Sequence, residues 1–480
     1  MTTSSSRLVI AGLSGDSGKT IASLGILTAL RQRGLEVAVF KKGPDYIDPA
    51  WLSLAAGTAC RSLDTYMVEP EVVVQRFMTH AEKADISLIE GNRGLFDGKD
   101  VSGTHSTAQL AKLLRAPVVL VVDVAKSTRT IAAVVKGCVD FDPELEIAGV
   151  ILNRVANERH LKLVSDSIGR HCGVPVVGAI PKLGGDSALI PGRHLGLVTP
   201  SEHRGGAELE PRLREIAERF LDLESIIEIA GSAGSLSCAV AGSPCRSPAR
   251  AKIGYFKDSV FTFYYPENLE ALEASGAELA PVSSLSDPSL PEVDALYIGG
   301  GFPETHAEQL VRNRAMMRAV KEAAAEGLPI YAECGGLIYL ARSLRCKDVV
   351  YPMAGLFPID LAMYQRPVGH GYTSLEVDAR NPFYPVGTSL RGHEFHYSGP
   401  VARLEGVESC MRVGSGVGVG DSRDGLIRFN TLACYTHVHA DGVESWASAM
   451  VSRAADHAVR RGKREAASGG TNGWFQSEAI

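Results

Sequence analysis

The sequence predicts an α/β protein built from two doubly wound domains in series. Three observations lead there. Apolar runs of strand length recur between helix-length amphipathic segments, a Gly-rich loop ending in Gly-Lys-Thr follows the first of them, and the alternation restarts after a small-residue stretch midway. With 480 residues, 45% hydrophobic and 22% charged, the chain is long enough for two or three domains with real cores.

The first-half runs are Leu8–Ala11, Val37–Phe40, Ile86–Ile89, Val118–Val122, Ile147–Leu152 and Val174–Ile180. They are continuous rather than alternating and rich in Val and Ile, as strands covered by helices on both faces must be. This places a parallel-sheet domain over residues 1–227. Residues 228–250 turn to small residues with Ser, Gly and Pro, a linker composition. From Ile253 the pattern returns through KIGYF, PENLEALEASG, DALYIGGG, LPIYAEC and ACYTHVHA, giving a second α/β domain over 251–460. Residues 461–480 are polar and read as a flexible tail.

A net charge of −6, from 49 basic and 55 acidic residues, offers no broad cationic surface for a nucleic-acid backbone. No run approaches the roughly 18 apolar residues of a membrane span, and the N-terminus carries no secretory leader, so a cytoplasmic protein without a membrane partner is expected. Nine cysteines with no C-x-x-C pair argue for a reactive thiol rather than disulfides or zinc.

After RLVIAG comes the loop Gly12-Leu13-Ser14-Gly15-Asp16-Ser17-Gly18-Lys19-Thr20, then helical text. Its backbone amides can curl around phosphates, Lys19 supplies a charge at the β/γ-phosphates, and Thr20 is a candidate Mg²⁺ ligand. Gly12 lies six residues before Gly18 instead of the usual five, so the loop is a variant. Gly12, Gly15, Asp16, Ser17, Gly18, Lys19, Thr20 and Lys41 are assigned to ATP. Asn153, ending a later strand on the same edge, is assigned to adenine. The second and third strands run into KKGPDYIDP and EGNRGLFDG, so Thr20, Asp48 and Glu90 are expected to share Mg²⁺.

In LPIYAECGGLIYL a strand meets a helix at Cys334, the arrangement of an exposed nucleophile whose thiolate a helix dipole favours. Gly300, from the triplet 299–301, and Gly335 are the expected oxyanion donors. His437 and His439, two apart on a strand-like segment, are the expected proton-transfer groups. The pair in His393-Glu394-Phe395-His396 lacks the H-E-x-x-H spacing and receives no catalytic role.

These blocks, in this order and spread over roughly residues 7–450, resemble the cobyrinate a,c-diamide synthase family. The resemblance implies a P-loop NTPase-like, dethiobiotin-synthetase-like first domain and a flavodoxin-like class I glutamine amidotransferase domain after it. It implies that Cys334 attacks the glutamine amide, that His437 moves the protons, and that ATP phosphorylates the a and c acetates of cobyrinate before ammonia displaces phosphate. It also implies that Asp45, Tyr46, Ile47 and Asp97 position the tetrapyrrole acceptor, and it is compatible with a homodimer. Most class I enzymes carry a glutamate two residues after the base histidine; here that position is His439, which leaves the group orienting His437 open. Ni-sirohydrochlorin and hydrogenobyrinate a,c-diamide synthases share the motifs and stand as alternatives. From another class, a ParA-like positioning ATPase stands as an alternative too, although Leu13 replaces the extra loop lysine of that group and the thiol domain has no part in it.

Overall fold

The computed structural model describes residues 2–3, 5–183, 189–193, 196–203, 206–238 and 247–469. The chain divides into two compact units, Met1–Gly242 and Ser243–Ile480. Among the described residues no helix is long and apolar enough to cross a membrane.

The first unit contains β1 (Ser6–Gly12), α1 (Lys19–Gln32), β2 (Val37–Lys42), α2 (Ile47–Ala56), β3 (Arg61–Leu63), β4 (Ile86–Glu90), β5 (Val118–Asp123), β6 (Ile147–Val155), β7 (Val176–Pro181) and α3 (Leu223–Gly231). Its strands form one sheet in the order β3-β2-β4-β1-β5-β6-β7. Every pairing in it is parallel. The central strands are covered on both faces: Leu8, Val9 and Ile10 and the whole of Val118–Val122 have no exposed surface. Parallel strands joined by helical crossovers put all their carboxyl ends on one edge, and the Gly-Lys-Thr loop opens there. The linker expected from residue 228 instead begins inside α3, where Ile226 and Ala230 are buried. Residues 228–231 of the expected linker are the end of this helix, residues 232–238 follow it with Leu236–Ser237 as a short strand, and residues 239–246 lie outside the described ones.

The second unit contains β8 (Ala251–Phe256), α4 (Pro266–Ala274), β9 (Ala277–Val282), β10 (Ala295–Ile298), β11 (Ile330–Glu333), α5 (Gly335–Leu340), β12 (Gly369–Val377), β13 (Ser389–His396), β14 (Glu408–Ser415), β15 (Arg423–Arg428), β16 (Thr431–Cys434), β17 (His437–Val438) and α6 (Ser445–Gly469). The sheet order is β9-β8-β10-β11-β16-β15-β14-β12-β13-β17. Only its first five strands are parallel; the rest is antiparallel. The antiparallel half departs from a purely doubly wound sheet because β12, GHGYTSLEV, alternates buried with more exposed positions, the pattern of a strand with one wetter face. Residues 461–469 also differ from expectation. The text RGKREAASG is mostly Arg, Lys, Glu and Ala, good helix formers, and α6 continues through it.

Side-chain alternation along β10 divides the core. Leu296 and Ile298 join the cluster that holds Phe256, Cys334 and Leu337. Tyr297 joins the opposite one, with Ile253, Tyr331 and Trp446. The Trp446 ring, fully buried, meets Tyr297 and Tyr331 at 5.5 Å each and so docks α6 on the sheet. Trp446→Ala is expected to remove about 3–5 kcal/mol of stability from this unit. Calorimetry should show the transition of the second unit shifted to lower temperature and that of the first unmoved.

Candidate active site

In the first unit, Gly18 begins α1 at φ 97°, a left-handed geometry that favours glycine. A Cβ there would lie 2.1 Å from Asn153 Nδ2, and one at Gly12 would lie 2.2 Å from Ser17 Oγ. A side chain at Gly18 would be strained as well as crowded, one at Gly12 would force Ser17 to shift, and Gly15 faces open space. Asp16 is also left-handed, at φ 57°. Lys19 Nζ donates to Ser14 O at 2.8 Å and to Arg93 O at 2.9 Å, so the ammonium crosses the mouth of the loop. Burial, and then the nearby Lys41, lowers its pKa. Asn153, expected to read adenine, donates from Nδ2 to Ser17 O at 2.9 Å and braces the loop.

Lys41, one residue before the end of β2, sits at the centre of a carboxylate cluster. Its Nζ lies 2.6 Å from Asp48 Oδ2, 2.7 Å from Glu90 Oε1 and 3.9 Å from Asp45 Oδ2. Thr20 Oγ1 donates to Glu90 Oε1 at 3.3 Å. Burial alone would lower the Lys41 pKa, but Asp48, Glu90 and Asp45 outweigh it and hold the ammonium charged. Burial, with Asp48 adding, raises Glu90 against the pull of Lys41. Asp48 goes the other way: burial would raise it, and contact with Lys41 wins.

Thr20 Oγ1 and Glu90 Oε1 lie 3.3 Å apart, and Asp48 shares the Lys41 ammonium with Glu90; all three are hard oxygens of the kind Mg²⁺ takes. Among the described residues no three His, Cys, Asp or Glu side chains form a ready metal cage. A cavity of about 860 Å³ opens over these groups, walled by Gly15, Lys19, Thr20, Lys41, Asp48 and Asn153. Arg93 and Arg212 line it too, cations that no sequence motif singled out.

The expected acceptor-positioning residues lie at the same edge. Asp45 Oδ1 accepts from Ile47 N at 2.9 Å and Asp48 N at 3.2 Å, capping the start of α2, with Tyr46 as the residue before that helix. Ile47 is buried. Asp97 Oδ2 accepts from Gly94 N at 2.8 Å and closes the loop after β4.

In the second unit, Cys334 joins β11 to α5 at φ 48°, ψ −96°, a strained conformation for a non-glycine residue. Its N–H donates to Cys434 O at 2.7 Å, which pins the turn to β16. The side chain is 5% exposed. Burial, with the carboxylates of Glu304, Glu333 and Glu394 adding, pushes the thiol well above its usual range. Burial thus opposes the thiolate that the following helix was expected to favour, and α5 has only six residues. The thiol therefore needs a base.

His437 is 2% exposed. Its Nδ1 lies 3.1 Å from Glu333 Oε2, and its other edge faces Gly300, where a Cβ would sit 2.6 Å from Cε1 and 3.2 Å from Nε2. A Cβ on Gly335 would come within 2.9 Å of Gly301 N. The glycine segment after β10, the cysteine turn and the histidine strand thus converge with room only for glycine. His439 packs on Tyr265 at 4.9 Å and caps the turn after β17, its Nδ1 accepting from Asp441 N at 3.2 Å.

Two residues without a sequence-assigned role enter this centre. Glu333 is fully buried beside His437. His393 lies opposite His437 in the β13–β17 register and stacks on it at 5.0 Å and 22°. The adjacency of an acid to the nucleophile was the one available signal for Glu333; His393 becomes visible only through strand pairing. The rest of that block is structural, with Glu394 accepting from Val417 N and Gly418 N and His396 stacking on Tyr435 at 3.7 Å.

Residues 8–190 match the CobQ/CobB/MinD/ParA nucleotide binding domain, and residues 252–445 match the CobB/CobQ-like glutamine amidotransferase domain. Fold and comparison together define a glutamine-dependent ligase that uses ATP as substrate. The chain is 42% identical over 448 residues to the cobyrinate a,c-diamide synthase of Magnetococcus marinus, covering 92% of this chain and 95% of that protein. It is 41% identical over 450 residues to the enzyme of that name from Archaeoglobus fulgidus, covering 93% and 97%. A third, from Listeria innocua, is 41% identical over 442 residues, covering 90% and 96%. The chain belongs to the cobyrinate a,c-diamide synthase family.

Burial, with His437 and His439 adding, holds His393 well below the usual histidine range. It stays neutral in the folded protein, whereas the unfolded chain takes up a proton there below about pH 6.5, so stability present above that pH is lost as the pH falls. Between pH 7.5 and 5.5, values that span the ordinary histidine pKa of about 6.5, the melting temperature of the second unit should therefore fall less in His393→Gln than in wild type. Equal losses in the two proteins would remove His393 as a source of acid sensitivity.

Proposed function

We propose that this chain amidates the a and c acetate carboxylates of cobyrinate in cobalamin biosynthesis, with ATP and glutamine, through acyl-phosphate intermediates. The observation that carries the reading is the presence on one chain of a strained, buried Cys334 turn with His437 and a phosphate loop backed by the Lys41–Asp48–Glu90 cluster. The relatives that match over both domains supply the substrate.

Each half has its own chemistry. Cys334 attacks the carboxamide carbon of glutamine as His437 takes the thiol proton. Gly300 and Gly335 amides hold the oxyanion, ammonia leaves, and water hydrolyses the thioester to glutamate. In the other half the acetate oxygen attacks the γ-phosphorus of ATP and ADP leaves. Lys19 and the loop amides offset charge on the transferring group. Ammonia then attacks the acyl carbon and expels phosphate. Thr20, Asp48 and Glu90 would hold Mg²⁺, which supplies positive charge to the phosphate oxygens when bound. Asn153 reads the adenine, and Asp45, Tyr46, Ile47 and Asp97 hold the acceptor. The cytoplasm, which holds ATP and glutamine, is the place for this reaction.

Incubation with ATP, Mg²⁺, glutamine and one tetrapyrrole at a time, read by product mass, tests the substrate. Conversion of cobyrinate to a diamide is expected; exclusive turnover of Ni-sirohydrochlorin or hydrogenobyrinate would overturn it. Cys334→Ala should abolish glutamine-dependent amidation while concentrated ammonium at raised pH still supports the reaction. Loss of both routes in a folded, ATP-binding variant would refute the role of Cys334. Glu90→Gln should lower amidation by about 100-fold or more through the loss of a charged oxygen, with glutamine hydrolysis retained. An unchanged rate and Mg²⁺ dependence would take Glu90 out of the site.

A further inference from the structure

We infer that Glu333 is the positioning residue for His437, fixing which ring nitrogen carries the proton; the inference rests on the glutaminase reading of Cys334 and His437. The covalent frame sets up the contact. Glu333 ends β11 directly before Cys334 and pairs with Cys434 of parallel β16, and the chain leaving β16 brings His437 back three residues later. One pairing register therefore places the carboxylate, the nucleophile and the imidazole together.

The hydrogen bonds then decide the tautomer. A carboxylate only accepts, so the 3.1 Å contact between Glu333 Oε2 and His437 Nδ1 puts the proton on Nδ1. In the neutral ring Nε2 is then the basic nitrogen, and Nε2 is on the edge that faces Gly300. The other bonds to Glu333 are longer: Tyr297 O–H donates to Oε2 at 3.3 Å and Val438 N–H to Oε1 at 3.5 Å. The His437 bond is thus the shortest of these three, and a carboxylate with no exposed surface gains most from it when the ring becomes imidazolium. The parallel ring of His393 restricts rotation of His437 from the side.

Two other acids near the centre are otherwise engaged. Glu394 accepts from two backbone N–H groups of residues 417 and 418. Glu267 lies toward His439, 3.8 Å from its Nε2. His439 itself caps its own turn.

The test uses the full chain and steady-state glutamine hydrolysis. Glu333→Gln keeps the volume but lets an amide N–H face Nδ1, which favours the wrong tautomer. The expected result is a fall in kcat of about 100-fold with KM for glutamine within about 2-fold of wild type and ammonium-dependent amidation unchanged. A side chain that only supports the fold would raise KM and lower the melting temperature of the second unit instead. A kcat within about 3-fold of wild type, or a loss confined to KM, overturns the inference. If Glu333→Gln does not fold, Glu333→Asp is read the same way: a carboxylate one carbon short should cost about 10-fold in kcat, and wild-type kcat in that variant overturns the inference. Cys334→Ala runs in parallel. Retained hydrolysis in it would defeat the glutaminase reading itself, whereas its loss beside an active Glu333→Gln would defeat only the role of Glu333.

Discussion

In both units the reactive groups depend on one geometric constraint: parallel strands release their carboxyl ends along a single edge. Gly12 ends β1, Lys41 lies next to the end of β2, Glu90 ends β4, and Asn153 lies near the end of β6. In the second unit Ile298 ends β10 just before the glycine segment, Glu333 ends β11 just before the cysteine, and Cys434 ends β16 just before the histidine strand. Residues about a hundred positions apart therefore meet without any local signal that they will. The strands can hold them because their interiors are fully buried, and a slip in register would turn a buried face toward a neighbour it does not fit.

Burial has opposite electrostatic consequences in the two centres. In the first unit the sheet edge holds a permanent charge, the Lys41 ammonium, and keeps it by surrounding it with Asp48, Glu90 and Asp45. Removing one member leaves the others buried and unbalanced, which makes such a cluster costly to break. The thiol centre is assembled from groups that burial keeps neutral: the Cys334 thiol is raised and the His393 imidazole is lowered. Charge has to appear there as a pair, thiolate and imidazolium together. Glu333 at Nδ1 of His437 is placed to stabilise the positive member of that pair.

Much of this was legible in the sequence, and what was not has a physical reason. The phosphate loop and the cysteine turn are local, each a strand running through glycine into a helix, so their residues announce them. The first unit's sheet was legible because its strands are continuous apolar runs. The antiparallel half of the second sheet was not, because β12 and its neighbours pair across long connections and bury one face more than the other. Glu333 carries no local signal of its partner, which lies 104 residues away, and His393 carries none because its stacking follows from the pairing of strands whose partners, His393 and His437, are 44 residues apart. The raised thiol is hidden from the sequence for a different reason. A motif shows the helix that follows a cysteine, whereas desolvation belongs to the packed core around it.

The coupling of these two chemistries follows from the nature of the nucleophile. An acyl phosphate is attacked by ammonia and not by ammonium, because the protonated form has no lone pair, and ammonium predominates in neutral water. A glutaminase centre releases nitrogen as neutral ammonia when the thioester forms. In the proposed mechanism His437, whose Nε2 would take the thiol proton and return a proton to the leaving nitrogen, is the group on which that release turns. On the proposed reading, then, the precision demanded of one imidazole explains why its surroundings are so restricted: glycine where Gly300 faces it, a parallel imidazole beside it, and a buried carboxylate at its far nitrogen.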